Sequence, residues 1–218
     1  MRPLTLAVLA ALLPLAAAAE PKTPNLPVSG LEKLLGPIAP GMAFADFLKI
    51  HPEAEYSDPA KMEEEVTPEQ PGGLLVLFKE DPFLGLECMA DFGFKDGKLY
   101  EYVVTWRGTP KKTGGERETF FGTLTARHGK DYRREALRVH PGSESEALIP
   151  VMCWETGSER ILAYHTPPLK SAPREQGSFT YACFQKADES VLELLAGGSA
   201  TPEQLSEAWK AMEPFTGR

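Results

Sequence analysis

"FLGLECMADFGFKDGKLYEYVVTW" runs from Phe83 to Trp106. Within it Leu84, Leu86, Cys88, Ala90, Phe92 and Phe94 alternate with Gly85, Glu87, Met89, Asp91 and Gly93. Period-two alternation marks a strand with one buried face. Lys95-Asp96-Gly97 follows as a turn signal, and a second strand leads on to Trp106. Two registers fit this hairpin. A two-residue Asp-Gly loop sets Phe92 opposite Glu101 and Cys88 opposite Thr105. A three-residue loop, Lys95 to Gly97, pairs Phe92 with Tyr100, Ala90 with Tyr102, Cys88 with Val104 and Leu86 with Trp106. The second gathers the apolar residues on one face, so it is the register expected. Cys88 then lies among apolar neighbours, where a thiol acts as a small hydrophobe with a raised pKa.

The same reasoning extends outward. "LLVLF" (Leu74–Phe78) is a short apolar strand before the hairpin. Upstream, "GMAFADFLKIHP" places Phe44, Phe47, Leu48 and His51 on one face of a short helix, which Pro52 stops. Residues 53–73 are polar, hold "MEEEV" and "TPEQPGG", and read as a loop. Downstream, a helix is expected from Glu116 to His128, with Phe120, Phe121 and Leu124 inward and Gly129 as its stop. His128 in its last turn reads as an imidazolium favourably placed at the helix's negative end. Strands are expected at Ala147–Thr156, Arg160–His165 and Ser178–Gln185, and a brief helix at Glu189–Gly198. At Thr201 the letters TPEQ recur, now followed by a stripe of Leu205, Ala208, Trp209 and Met212. There Thr201 and Gln204 form a capping box, with Pro202 at the first helical position. The class is α+β, with antiparallel sheet meanders and packed helices. The expected order is helix, three strands, helix, three strands, then C-terminal helices. Residues 38–218 form one domain, with similar halves at 38–108 and 115–187 and C-terminal helices over 188–213.

Composition bounds the function. The chain has 218 residues, 42% hydrophobic and 25% charged, which suits a globular domain rather than a disordered one. Residues 1–19, "MRPLTLAVLAALLPLAAAA", have Arg2, an apolar run to Leu15, and Ala17 and Ala19 before Glu20. That is the layout of a cleaved secretory signal peptide, and the apolar run is shorter than the ~20 residues that span a bilayer. Residues 20–37, rich in proline and small polar residues, are expected as an extended tether. Losing residues 1–19 removes Arg2, their only charged residue, and takes the formal charge from −8 to −9. An acidic surface repels phosphate backbones and argues against nucleic-acid binding. A mature chain that does not span the membrane, periplasmic or secreted, is expected.

Gly41-Met42, "FADFL" (Phe44–Leu48), a helix ended at Pro52 and a meander turning on "FKDGKL" (Phe94–Leu99) together resemble small bacterial envelope modules of the BamE family, also called SmpA/OmlA-like. The resemblance covers Gly41 to Trp106. The family's second helix is replaced by the polar insert 53–73, its lipoprotein cysteine is absent, and a second half is added. The resemblance implies an envelope scaffold or binding role and carries over no functional residue.

The chemistry-bearing residues are scattered. His51, His128, His140 and His165 are isolated, and no H-x-H, H-E-x-x-H or C-x-x-C is present, so no metal site or cofactor is expected. "GTPKKT" (Gly108–Thr113) lacks the end of a phosphate loop, and "GSES" (Gly142–Ser145) lacks the setting of a nucleophile elbow. Trp106, Trp154 and Trp209 read as core. His165 ends a strand beside Pro167-Pro168, a place that allows exposure and leaves its role open. No catalytic residue is singled out. Two readings follow: a non-catalytic module binding an envelope protein or small ligand, and a hydrolase-type enzyme whose site assembles only in three dimensions, with His165 beside a carboxylate as the place to look. For the thiols, a plain meander puts "RILAYH" (Arg160–His165) between the strands of Cys153 and Cys183. Those strands are then ~9.6 Å apart, too far for a disulfide.

Overall fold

The Phe83–Trp106 hairpin lies within an eight-stranded, wholly antiparallel sheet. The computed structural model describes residues 30–67, 72–78, 81, 83–108, 115–139, 147–167, 177–186, 200–210 and 212. Its strands are β1 (Glu55–Tyr56), β2 (Leu74–Phe78), β3 (Glu87–Lys95), β4 (Lys98–Arg107), β5 (Arg133–Val139), β6 (Ala147–Thr156), β7 (Glu159–Thr166) and β8 (Ser178–Gln185). Their order across the sheet is β1-β2-β3-β4-β8-β7-β6-β5. Two four-stranded meanders are therefore joined at their last strands, β4 against β8. The described helices are α1 (Gly30–Leu35), α2 (Phe44–Ile50), α3 (Gly115–His128) and α4 (Pro202–Lys210).

The mixed α+β class with antiparallel sheet stands, but the expected element order does not. The described order is two helices, four strands, one helix, four strands, one helix. Three elements account for the difference. The tether expected over 20–37 contains α1, whose Leu31, Leu34 and Leu35 are buried. β1 is a two-residue strand inside the insert expected as loop. β5, "RREALRV", is an edge strand whose charges conceal its alternation. Charged side chains on an edge strand discourage pairing with another chain. The expected signal peptide, residues 20–29, Gly142–Ser145, the helix expected at Glu189–Gly198 and most of "GTPKKT" lie outside the described residues.

The hairpin register also differs from expectation. Phe92 pairs with Tyr102, Ala90 with Val104 and Cys88 with Trp106, two residues further along β4 than expected. The loop is the two-residue Asp96-Gly97, with φ of 51° and 70°, a turn with both central residues left-handed. A bulge between Gly93 and Phe94 then absorbs one extra residue of β4, Tyr100. That bulge restores the parity the apolar pattern demands, so the expected face is right although the partners are not. Gly93 makes room there, since a Cβ would stand 2.7 Å from Glu101 Cγ.

One face of the sheet carries the main core. Leu74, Val76, Cys88, Ala90, Phe92, Tyr102, Val104 and Trp106 of the first meander lie on it with Met152, Trp154, Ile161, Ala163, Phe179, Tyr181 and Cys183 of the second. All four described helices bury their apolar side chains in this one cluster: Leu31, Leu34 and Leu35 of α1, Phe44 and Phe47 of α2, Phe120, Phe121 and Leu124 of α3, and Trp209 of α4. α4 is capped as expected: Gln204 N–H donates to Thr201 Oγ1 at 3.3 Å, and Thr201 N–H to Gln204 Oε1 at 3.0 Å. Trp106, Trp154 and Trp209 are all core, and the Trp154 and Trp209 indoles donate to the carbonyls of Gly129 and Glu135.

Candidate binding surface

Alternation along each strand sends every second side chain to the opposite face. Over β6, β7 and β8 that face bears a second apolar cluster of Val151, Cys153, Leu162, Ala182 and Phe184. Over β2, β3 and β4 it bears Leu75, Leu77, Met89, Asp91, Glu101, Val103 and Thr105, and among the described residues no helix buries a side chain there. Leu77 is 60% exposed, while Leu75, Met89 and Val103 are half-buried. Exposure of a large aliphatic residue beside other apolar ones on a sheet is a mark of contact surfaces. Where Gly72, Gly73 and Gly93 omit side chains, the face dips into a pocket of about 230 Å³ lined by Ser57, Asp91, Tyr100 and Glu101. Burial raises the Asp91 carboxyl above its usual range, against the opposing pull of Arg107. Among the described residues Glu55, Glu87, Asp91 and Glu101 point to this face, with Arg107 opposite Glu87 and with Lys95 and Lys98 at the turn end.

Of the four histidines His140 lies outside the described residues, and the other three do not gather here. His51 follows α2 and is buried among Phe47, Phe78 and Phe92, with Nδ1 2.9 Å from Glu53 Oε1. His128 ends α3 as expected, but its ring packs against aromatics rather than facing solvent. It stacks on Tyr181 and approaches Trp154, its Nε2 lies 3.4 Å from the Tyr181 hydroxyl, and desolvation, then Arg127, lowers its pKa to about 4. His165 is not exposed either. It is 8% exposed, with its ring 4.6 Å from that of Phe179, and desolvation, then the nearby Arg117, lowers its pKa to about 4. Its charged neighbour is thus a cation, where an acid–base pair needs a carboxylate. Both rings are neutral at pH 7 and pack against aromatic side chains.

The thiols are equally inert. All three cysteines are free and buried. Burial raises the pKa of Cys88 and Cys153 and pushes Cys183 up to about 12. β7 lies between β6 and β8 as the plain meander requires. Moreover Cys153 and Cys183 belong to clusters on opposite faces of the sheet, so they cannot meet. The acidic loop residues Glu63, Glu64 and Glu65 are exposed, as a solvated face would be. No group of three or more potential metal ligands occurs among the described residues. No described helix is long and apolar enough to cross a membrane. The open-face residues were not singled out in advance; the outward positions of the alternating pattern are the signal that would have found them. No family model, curated protein or solved structure matches this chain.

Proposed function

We propose that the protein is an exported, non-catalytic binding module of the bacterial envelope, periplasmic or secreted. Its contact surface is the open face of β2, β3 and β4, and its partner is a protein segment with a Lys or Arg set among apolar side chains. The observation that carries this reading is the apolar patch of Leu75, Leu77, Met89 and Val103 around a pocket flanked by Asp91 and Glu101. The two carboxylates at the pocket, Asp91 and Glu101, favour a cationic group there, because complementary charge steers association and selects partners.

A peptide of alternating leucine and lysine, followed by fluorescence anisotropy at low ionic strength, tests the surface. Asp91→Asn with Glu101→Gln should weaken its binding by about ten-fold. Replacing Glu63, Glu64 and Glu65 with glutamine removes more charge from the acidic loop and should change binding by less than about two-fold. Equal losses in the two variants would mean that the peptide senses only net charge, and the surface assignment would fail. Export is tested separately. The mature N-terminus is expected at or within a residue or two of Glu20, read by mass spectrometry of the exported chain. An exported form that retains Met1 rules out cleavage.

A further inference from the structure

At the end of the sheet where β6 turns into β7, three cations share one carboxylate. Arg133 Nη2 lies 3.5 Å from Glu155 Oε1, Arg160 Nη2 lies 3.4 Å from the same oxygen, and Lys186 Nζ lies 3.1 Å from Oε2. Among the described residues the one further acid paired with the group is Glu135, 3.5 Å from Arg133 Nε. These distances exceed the 2.7–2.9 Å of a good charge-assisted hydrogen bond, so Glu155 satisfies none of the three well. Glu155 is held below the usual carboxylate range by the Lys186 hydrogen bond foremost and stays ionised. The knot therefore carries more positive than negative charge, in a chain whose formal charge is −8.

The second observation is Arg160 itself. Its side chain is 6% exposed, and its Nε and Nη1 have no hydrogen-bond partner. A buried guanidinium with two of its three nitrogens unmatched is costly, since buried charge is tolerated when paired and hydrogen-bonded. Arg133 and Lys186, about half exposed, stand on the solvent side of the same carboxylate. Planar, forked donors backed by a flexible ammonium are the chemistry that recognises oxyanions.

We propose that Arg133, Arg160 and Lys186 form an oxyanion-binding site for a carboxylate or phosphate group, with Glu155 as the resident counter-ion that the ligand displaces. The ligand enters past Lys186 and Arg133 and takes up the unmatched donors of Arg160. The site lies on the second meander and does not depend on the open face of β2, β3 and β4.

The test titrates the full chain at low ionic strength with inorganic phosphate and with succinate, by calorimetry. One saturable site is expected for at least one of them. Phosphate alone assigns a phosphate-bearing ligand, succinate alone a carboxylate, and both the shared oxyanion chemistry. Arg160→Gln should abolish binding. Because that buried change can also harm folding, two partly exposed positions carry the decision. Lys186→Gln should weaken binding by about five-fold or more, and Glu155→Gln should tighten it by about ten-fold, since it removes the competing carboxylate. A purely structural Glu155 predicts no such gain. Absence of saturable binding by either anion, unchanged affinity in Lys186→Gln, or no gain in Glu155→Gln overturns the proposal.

Discussion

Phe92→Ala is expected to lower the unfolding free energy by about 3–5 kcal/mol, the usual cost of emptying a buried aromatic site. Phe92 is 1% exposed on the helix-covered face. Its ring sits 4.6 Å from Phe47 of α2, 5.8 Å from His51 and 6.2 Å from Tyr102 across the hairpin. Truncation therefore removes contacts to a helix and to a neighbouring strand at once, and close-packed neighbours cannot collapse to fill the space. Asp91, one residue away, faces the other side of the sheet and is half-buried. Asp91→Ala should change stability by less than about 1 kcal/mol. Urea unfolding of the two variants measures both. Similar losses would contradict the alternation on which the two-faced sheet rests.

That alternation is what the sequence makes legible, and its limits are physical. Cys88, Ala90 and Phe92 declare a face because burial acts on side chains two apart. They do not declare a partner, because a bulge at Tyr100 shifts the pairing without changing the face. β5 hides because an edge strand is solvated on one side and is charged there on purpose. α1 hides because its three buried leucines sit in a Pro- and Gly-rich context whose local chemistry argues for a tether. His128 and His165 look exposed in one dimension, since a helix end and a strand end are commonly wet. Instead the end of α3 brings His128 against Tyr181 of β8 and Trp154 of β6, and strand pairing sets Phe179 of β8 against His165. The charged knot was out of reach altogether. Arg133, Glu155, Arg160 and Lys186 come from β5, β6, β7 and the end of β8, and only the strand order makes them neighbours.

His128, half-buried, and His165, buried, have a consequence for acid stability. An exposed histidine in the unfolded chain titrates near pH 6.5, whereas in the folded protein His128 and His165 are lowered to about 4. Below about pH 6.5 the unfolded chain therefore binds protons that the folded protein refuses, and unfolding gains by that difference. The stability they confer is fully present above about pH 6.5 and is lost as pH falls through 4. By pH 5 each histidine should cost about 2 kcal/mol, or about 4 kcal/mol for the pair, a large share of a typical domain's stability. Glu53 is lowered even though desolvation, its largest influence, opposes that, because the His51 hydrogen bond and its charge favour the carboxylate; Glu155 is lowered by Lys186 foremost. Both titrate at lower pH and do not contribute above pH 5. Asp91, being raised, acts in the opposite sense. The groups facing the rings are Tyr181, Trp154 and Arg127 for His128, and Phe179 and Arg117 for His165. None is an acid that would stabilise an imidazolium. Urea midpoints followed by circular dichroism at pH 7 and pH 5 should show the fall in the native chain. In His165→Phe, which keeps an aromatic ring against Phe179 but cannot protonate, about half of that fall should disappear. Stability that is flat from pH 7 to pH 5 in the native chain would mean that both rings reach solvent, and with it the packing of α3 on β7 and β8 would be wrong.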